Sequence, residues 1–237
     1  STRRMALLLA GLAMFGPFSI DTIFPAFPQL AQRLAVDEVA VQQTISVYLL
    51  FYALMSLAHG PLSDAWGRKT LLLVTLVGMT LTTLALTQVE TFAALVMLRA
   101  LQGVFLGGLP AVAIAYMGEE YTKPAMVAAV GFYISANSLG GISGRLMAGT
   151  LADLGHWQWV FWPVALLGVL SCYLIWRDLP AAKNFSAKPF RLRQAFADNL
   201  FHLRQPLLLL TYVIGGLNFF IFLNQYTYIA FVLSEAP

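Results

Sequence analysis

Three charged side chains sit where a charge is hardest to keep. Asp21, Arg99 and Arg145 each lie inside a long apolar run. A charge within a membrane span costs about 2.5–3.5 kcal/mol on insertion scales, so each one needs a use. Taking the N-terminus as inside, as argued below, Asp21 stands near the outer end of the first run and Arg145 near the outer end of the fifth. Arg99 lies about 7 residues in from the outer end of the fourth run, roughly 10 Å deep at helical rise. All three therefore share the outer half of one layer, where ionic pairing is geometrically possible. A carboxylate poised between burial and a nearby guanidinium is suited to taking up and releasing a proton. Asp21, Arg99 and Arg145 are thus the candidate proton-coupling residues. Two plainer readings stay open: Asp21 reaches outer water or caps a helix, and Arg99 belongs to a structural salt bridge.

A second charged stretch joins two apolar runs. Gly60-Pro61-Leu62-Ser63-Asp64-Ala65-Trp66-Gly67-Arg68-Lys69 is short and turn-rich. Gly60-Pro61 is expected to break the preceding helix, because proline has no N–H and constrains the residue before it. Asp64 is expected near a helix N-terminus, whose dipole favours negative charge. Gly67 permits a tight turn, and Arg68-Lys69 places positive charge at a membrane surface. The segment reads as a charged clasp between two spanning helices.

Composition fixes the solvent. Of 237 residues, 59% are hydrophobic and 11% charged, with mean hydropathy +0.74. Soluble domains carry roughly a quarter charged residues, so this chain belongs in lipid. A span needs about 20 apolar residues, which gives Met5–Phe24, Val41–Ala58, Thr70–Leu86, Phe92–Tyr116, Ala125–Ala152, Gln158–Trp176 and Leu207–Leu233. The first is read as a retained span rather than a cleaved signal, since it ends in Pro25 and not in a small-residue site. With the N-terminus inside, Arg3, Arg4, Arg68, Lys69, Lys123, Arg177, Lys183, Lys188, Arg191, Arg193 and Arg204 all fall inside and Arg33 falls outside. That asymmetry is what the positive-inside rule demands. The chain thus divides into an all-α six-helix bundle (1–176), a cytoplasmic loop (177–205) and a seventh span (206–237). Within the loop, Leu192, Phe196, Leu200 and Leu203 share one helical face, which suits either an amphipathic helix on the membrane or a solvated linker helix.

The net charge of +3 does not point to nucleic acid, because the basic residues sit in loops beside apolar spans. The lone Cys172 allows no internal disulfide. His59, His156 and His202 have no metal-ligand spacing, and no phosphate-binding loop or hydrolase motif is present. The chain is therefore expected to be no enzyme and to need no cofactor. Its expected partners are a lipid bilayer and a small-molecule substrate.

These motifs resemble one family. Gly60, Leu62, Asp64, Gly67, Arg68 and Lys69 match the loop signature G-x-L-x-D-x-x-G-R-K/R of the major facilitator superfamily, with Ala65 where a basic residue is usual. Asp21-Thr-Ile-Phe-Pro25-Ala-Phe-Pro28 resembles the first-helix pattern of bacterial drug/proton antiporters of the bicyclomycin-resistance type. Arg99, Gln102 and Gly103 resemble the fourth-helix signature, whose arginine the family links to proton coupling. Gly131, Gly140, Gly144 and Gly149 match the fifth-helix antiporter signature, with Arg145 in place of a proline and Ala148 in place of a glycine.

The resemblance implies the first half of a twelve-span carrier plus its seventh helix, in the inner membrane of a bacterium with the N-terminus cytoplasmic. A working carrier is expected to need the missing C-terminal half, since the chain stops at Pro237. It also implies that Gly60, Asp64, Gly67, Arg68 and Lys69 form a gating loop bonding across the halves. Gly131, Gly140, Gly144 and Gly149 are expected to pack the fifth helix against one from the other half, and the absent proline to leave that helix straighter. Phe24, Gln102, Asn137, Asn218 and Gln225 are the substrate-cavity candidates. The leading expectation is proton-coupled efflux of small amphipathic drugs or metabolites. Alternatives are an uncoupled or import-type sugar or metabolite carrier, and a non-transporting half-transporter scaffold.

Overall fold

The computed structural model describes residues 2–152, 154, 156–181, 189–190, 197 and 200–234, with side chains described from residue 4 to residue 221 among these. The expected amphipathic helix of the loop falls largely outside them. Residues 1–190 form one compact unit and residues 191–237 a second.

The first span is longer than expected and broken. It comprises α1 (Thr2–Ala13), α2 (Phe15–Asp21), a 3-10 turn (Phe24–Ala26) and α3 (Phe27–Leu34), a 31-residue stretch from Arg4 to Leu34. Pro25 is expected to end it after Phe24, but Pro25 and then Pro28 each sit in the first positions of a new helical turn. There a missing N–H costs nothing, because that donor has no partner within the helix. The break between α1 and α2 has its own cause. Pro17 offers no N–H to the carbonyl of Ala13, one residue before the interruption at Met14. A left-handed Ala35 (φ 52°) finally stops α3, with Val36 N–H bonding back to the Ala31 carbonyl at 3.1 Å.

The second span, α4 (Glu38–Trp66), begins on an Asp37 cap whose Oδ1 accepts from Ala40 N–H at 2.7 Å. It corrects a second expectation, because the helix runs straight through Gly60-Pro61 to Trp66. Pro61 removes one bond from a long ladder, and nearby Ser63 adds a hydroxyl bond to the Gly60 carbonyl at 2.7 Å. Membrane helices tolerate proline where such local partners exist. The turn falls later, at Gly67, whose φ of 88° needs no Cβ to clash. Then follow α5 (Arg68–Leu86), α6 (Phe92–Leu106), α7 (Leu109–Glu120), α8 (Lys123–Ala152), a 3-10 turn (Trp157–Val160) and α9 (Phe161–Asp178). In the second unit, α10 spans Pro206–Ser234.

Within residues 1–190, α1 and α2 pack on α8, α4 on α6, and α5 on both α6 and α9. Small residues set these approaches. A Cβ on Gly103 or Gly107 would strike the backbone carbonyl of Tyr48 or Tyr52 on α4, and one on Gly168 would strike Thr80 on α5. One buried core gathers Leu9, Tyr48, Leu72, Leu76, Met79 and Tyr116, and a second gathers Ile23, Leu30, Val41, Leu95 and Phe161. The outward faces of α4 and α8 carry exposed Leu50, Leu54, Val127, Ile134 and Leu146.

Candidate functional site

Asp21 and Arg145 are brought together. Asp21 closes α2, and Arg145 lies on α8, which packs along α2. Their closest approach is Arg145 Nε to Asp21 Oδ1 at 3.5 Å, with the arginine side chain 30% exposed and the aspartate side chain 11%. The guanidinium also lies over the ring of Phe24, 5.2 Å from its centroid. One turn before Arg145, Gly141 leaves room for the carboxylate, because a Cβ there would come within 2.6 Å of Asp21 Oδ2. Positions 141 and 145 share a helical face, so one makes space for the carboxylate and the other supplies its counter-charge.

Arg99 is not Asp21's partner, and it has no carboxylate partner among the described residues. It is 0% exposed on α6 and held by neutral groups. Its Nη1 donates to the Ser19 carbonyl at 3.1 Å and to Gln102 Oε1 at 2.9 Å. Gln102 Nε2 donates onward to Thr83 Oγ1 at 2.7 Å, and Thr83 to the Met79 carbonyl at 2.8 Å. The guanidinium carbon lies 4.7 Å from the centroid of Tyr48, a cation–π contact worth most when desolvated. Nε and Nη2 find no acceptor among the described residues. The Ser19 carbonyl belongs to the last turn of α2, where intrahelical donors run out. Arg99 therefore caps the helix that ends in Asp21 and ties α2, α4, α5 and α6 into one knot. Sequence reasoning missed Ser19, Tyr48 and Thr83, since a carbonyl, a tyrosine and a threonine carry no signature in an apolar span.

The cavity candidates separate. Phe24 joins the Asp21–Arg145 pair. Gln102 lines no opening, because it is sealed in the Arg99 knot at 0% exposure. Asn137 donates Nδ2 to the Ala13 carbonyl at 3.4 Å, the acceptor that Pro17 leaves vacant. That bond accounts for this amide as a patch on the first-span break. Asn218 donates to Ile214 on its own helix at 3.0 Å, and the side chain of Gln225 lies outside those described.

The packing glycines separate too. Gly140 and Gly144 abut the first span of this same unit, where a Cβ would come within 2.6 Å of the Met14 carbonyl and 3.0 Å of the Phe18 carbonyl. Gly131 and Gly149 have nothing within 4 Å.

The gating-loop residues gather at the opposite end of the bundle. Arg68 Nη2 lies 2.6 Å from Asp64 and 2.8 Å from Glu119 at the end of α7, and its Nη1 donates to the Ser63 hydroxyl. Lys69 Nζ donates to the Trp176 carbonyl in the last turn of α9 at 2.9 Å, a favourable place for a cation. Arg4 pairs with Asp178 at 2.7 Å. Asp64, at the end of α4, does face the start of α5. Gly60 lies inside α4 with nothing within 4 Å, and Gly67 makes the turn. All these bonds lie inside residues 1–190. Glu119 is a member that sequence reasoning left out.

Among the described residues, six stretches of membrane length and apolar composition, the first broken after α1 and the fourth between α6 and α7, carry an internal ion pair and a charged clasp and define a polytopic helical membrane bundle. The profile of the Major Facilitator Superfamily matches residues 7–235, and the chain belongs to that family. It is 30% identical over 233 residues to the inner membrane transport protein YnfM of Escherichia coli (strain K12), covering 98% of this chain and 55% of that one. It is 28% identical to the bicyclomycin resistance protein homolog of Haemophilus influenzae (strain ATCC 51907 / DSM 11121 / KW20 / Rd) over 194 residues, 81% of this chain and 48% of that one. A crystal structure of a bacterial homolog of the human lysosomal transporter Spinster, inward-facing and unoccupied, superposes with a TM-score of 0.69 at 16% identity. That match covers 79% of this chain and 45% of the other. The chain spans about half the length of the curated relatives it matches.

Proposed function

We propose that this chain is the N-terminal part of a secondary transporter that exports small amphipathic drugs or metabolites in exchange for protons. The observation that carries the reading is the Asp21–Arg145 pair, a carboxylate and a guanidinium 3.5 Å apart at the end of α2, inside a broken span. Protonating Asp21 removes the charge that holds Arg145, and α2 is free of continuous helix on both sides. A change of charge there has a short, jointed element to act on. Arg99 fixes the end of α2 and so positions Asp21, and it takes no proton in this scheme.

In the same reading the N-terminus is cytoplasmic, the membrane is a bacterial inner membrane, and the second half supplies the other wall of the cavity. Asp64, Arg68 and Lys69 serve the inner gate, with Glu119 as the partner Arg68 keeps inside this half. A relative named as a bicyclomycin resistance homolog favours export over an uncoupled carrier.

The test uses the full-length protein in proteoliposomes with an imposed pH gradient and radiolabelled chloramphenicol among a panel of uncharged amphipathic probes. Gradient-dependent flux that disappears in Asp21→Asn is expected. Equal flux with and without the gradient removes the proton role, and unchanged transport by Asp21→Asn favours a uniporter.

A further inference from the structure

A carboxylate beside an aromatic ring is the pair of groups that recognises an organic cation, the first by charge and the second by its π face. This bundle has that pair in Asp21 and Phe24, and both are already taken by one guanidinium. Arg145 Nε lies 3.5 Å from Asp21 and its guanidinium carbon 5.2 Å from the centre of Phe24. The charge inventory agrees. Away from the ends of the six spans the chain carries Asp21, Arg99 and Arg145, one negative charge against two positive ones. The positive excess is not relieved at Arg99, which hydrogen-bonds to the neutral Ser19 carbonyl and Gln102 amide. Other described charges on the elements packed against α8, Arg4 on α1 and Glu119 and Glu120 on α7, lie at the opposite end of the bundle. They do not offset it.

We infer that Arg145 is a tethered stand-in for a cationic substrate, so that this carrier excludes organic cations and takes solutes with no net positive charge. The inference rests on the transporter reading and narrows its substrate class. Specificity of this kind is a difference of affinities, obtained here by filling the competing ligand's site from within. Arg145 reaches the pair because α8 sits close. Gly141 admits the carboxylate, and Gly144 meets the Phe18 backbone. With its side chain 30% exposed, Arg145 also borders open space, so truncating it opens a path to Asp21 and Phe24.

The experiment is a titration of the purified full-length protein in detergent with tetraphenylphosphonium and ethidium, for wild type, Arg145→Ala, Arg145→Lys and the double variant Arg145→Ala/Asp21→Asn. The expected result is no saturable binding by wild type or Arg145→Lys. Arg145→Ala should gain at least tenfold in affinity, and the double variant should lose that gain. Micromolar wild-type binding that Asp21→Asn abolishes would overturn the inference. So would a folded Arg145→Ala variant, eluting as wild type does on size exclusion, that binds no better. Should Arg145→Ala aggregate, Arg145→Gln keeps the bulk without the charge and is judged by the same criterion. Because the titration needs no flux, it separates the two readings. Cation exclusion with no gradient-driven flux in proteoliposomes sinks the transporter and leaves the stand-in. Gradient-driven uptake of ethidium by wild type does the reverse.

Discussion

Arg99 and Arg145 are two guanidiniums in the same apolar bundle, and they are kept in opposite ways. Arg99 is sealed at 0% exposure by a carbonyl and a tyrosine ring from two other helices and an amide from its own. Arg145 keeps 30% of its side chain exposed, 3.5 Å from one carboxylate and over the Phe24 ring. A charge held by neutral dipoles inside a packed core has nowhere to go, and its removal leaves those dipoles unmet. A partly exposed charge whose ion-pair partner is titratable loses that attraction when the partner is protonated. The contrast teaches that depth alone does not mark a coupling residue. The more deeply buried arginine holds the end of α2, and the less buried one is the ion-pair partner of Asp21.

The largest expected effect tests the sealed side. Gly103→Val drives a side chain into the Tyr48 carbonyl and should separate α4 from α6. The full-length protein is expected to aggregate, read as loss of the monodisperse peak on size exclusion. If it elutes as wild type does, the close α4–α6 approach is wrong. Next, Arg99→Gln should cost about 2–4 kcal/mol, since it strands the Ser19 carbonyl and Gln102 in a dry site. Arg145→Gln, at the wetter pair, should cost about 1 kcal/mol or less. Thermal unfolding of both in detergent measures the gap, and equal losses erase the distinction drawn here.

A third comparison is functional. Asp21→Asn should leave the unfolding midpoint near wild type yet flatten the dependence of flux on pH, whereas Gln102→Leu should lower the midpoint by the equivalent of about 1–3 kcal/mol. A pH profile that survives in Asp21→Asn places the coupling elsewhere. The smallest effect concerns the joint in the first span. Asn137→Ala leaves the Ala13 carbonyl without its partner, a loss of about 1 kcal/mol. Hydrogen exchange should show faster opening around residues 13–17 and no change at α5.

Much of the architecture was legible because the signal is solvent chemistry. Runs of apolar residues long enough to cross a bilayer must be helical, since lipid offers the backbone no partners. The six expected spans of the first unit reappear within a few residues, except where proline was read as a stop. Pro25, Pro28 and Pro61 show why that reading failed. Proline ends a helix when its N–H is needed, and at Pro25 and Pro28 a new turn begins where the donor is idle. At Pro61 the ladder on either side is long enough to carry one missing bond. The site was legible in its charges and obscure in its partners. Asp21 and Arg145 were found as costly ions, and their pairing was one of several possibilities. Ser19, Tyr48, Thr83 and Glu119 entered only once the helices were placed, because an amide or a carbonyl meets its partner through packing and not through spacing.

By itself, then, the sequence determined the solvent, the number and order of spans before the loop, and which side chains are too costly to be there idly. Those follow from local composition, which acts residue by residue along the chain. Which ion faces which, which glycine touches a backbone and which amide repairs a proline gap were decided by tertiary structure. Each of those contacts joins residues many turns apart, and its energy exists only when two helices lie within a few ångströms of each other.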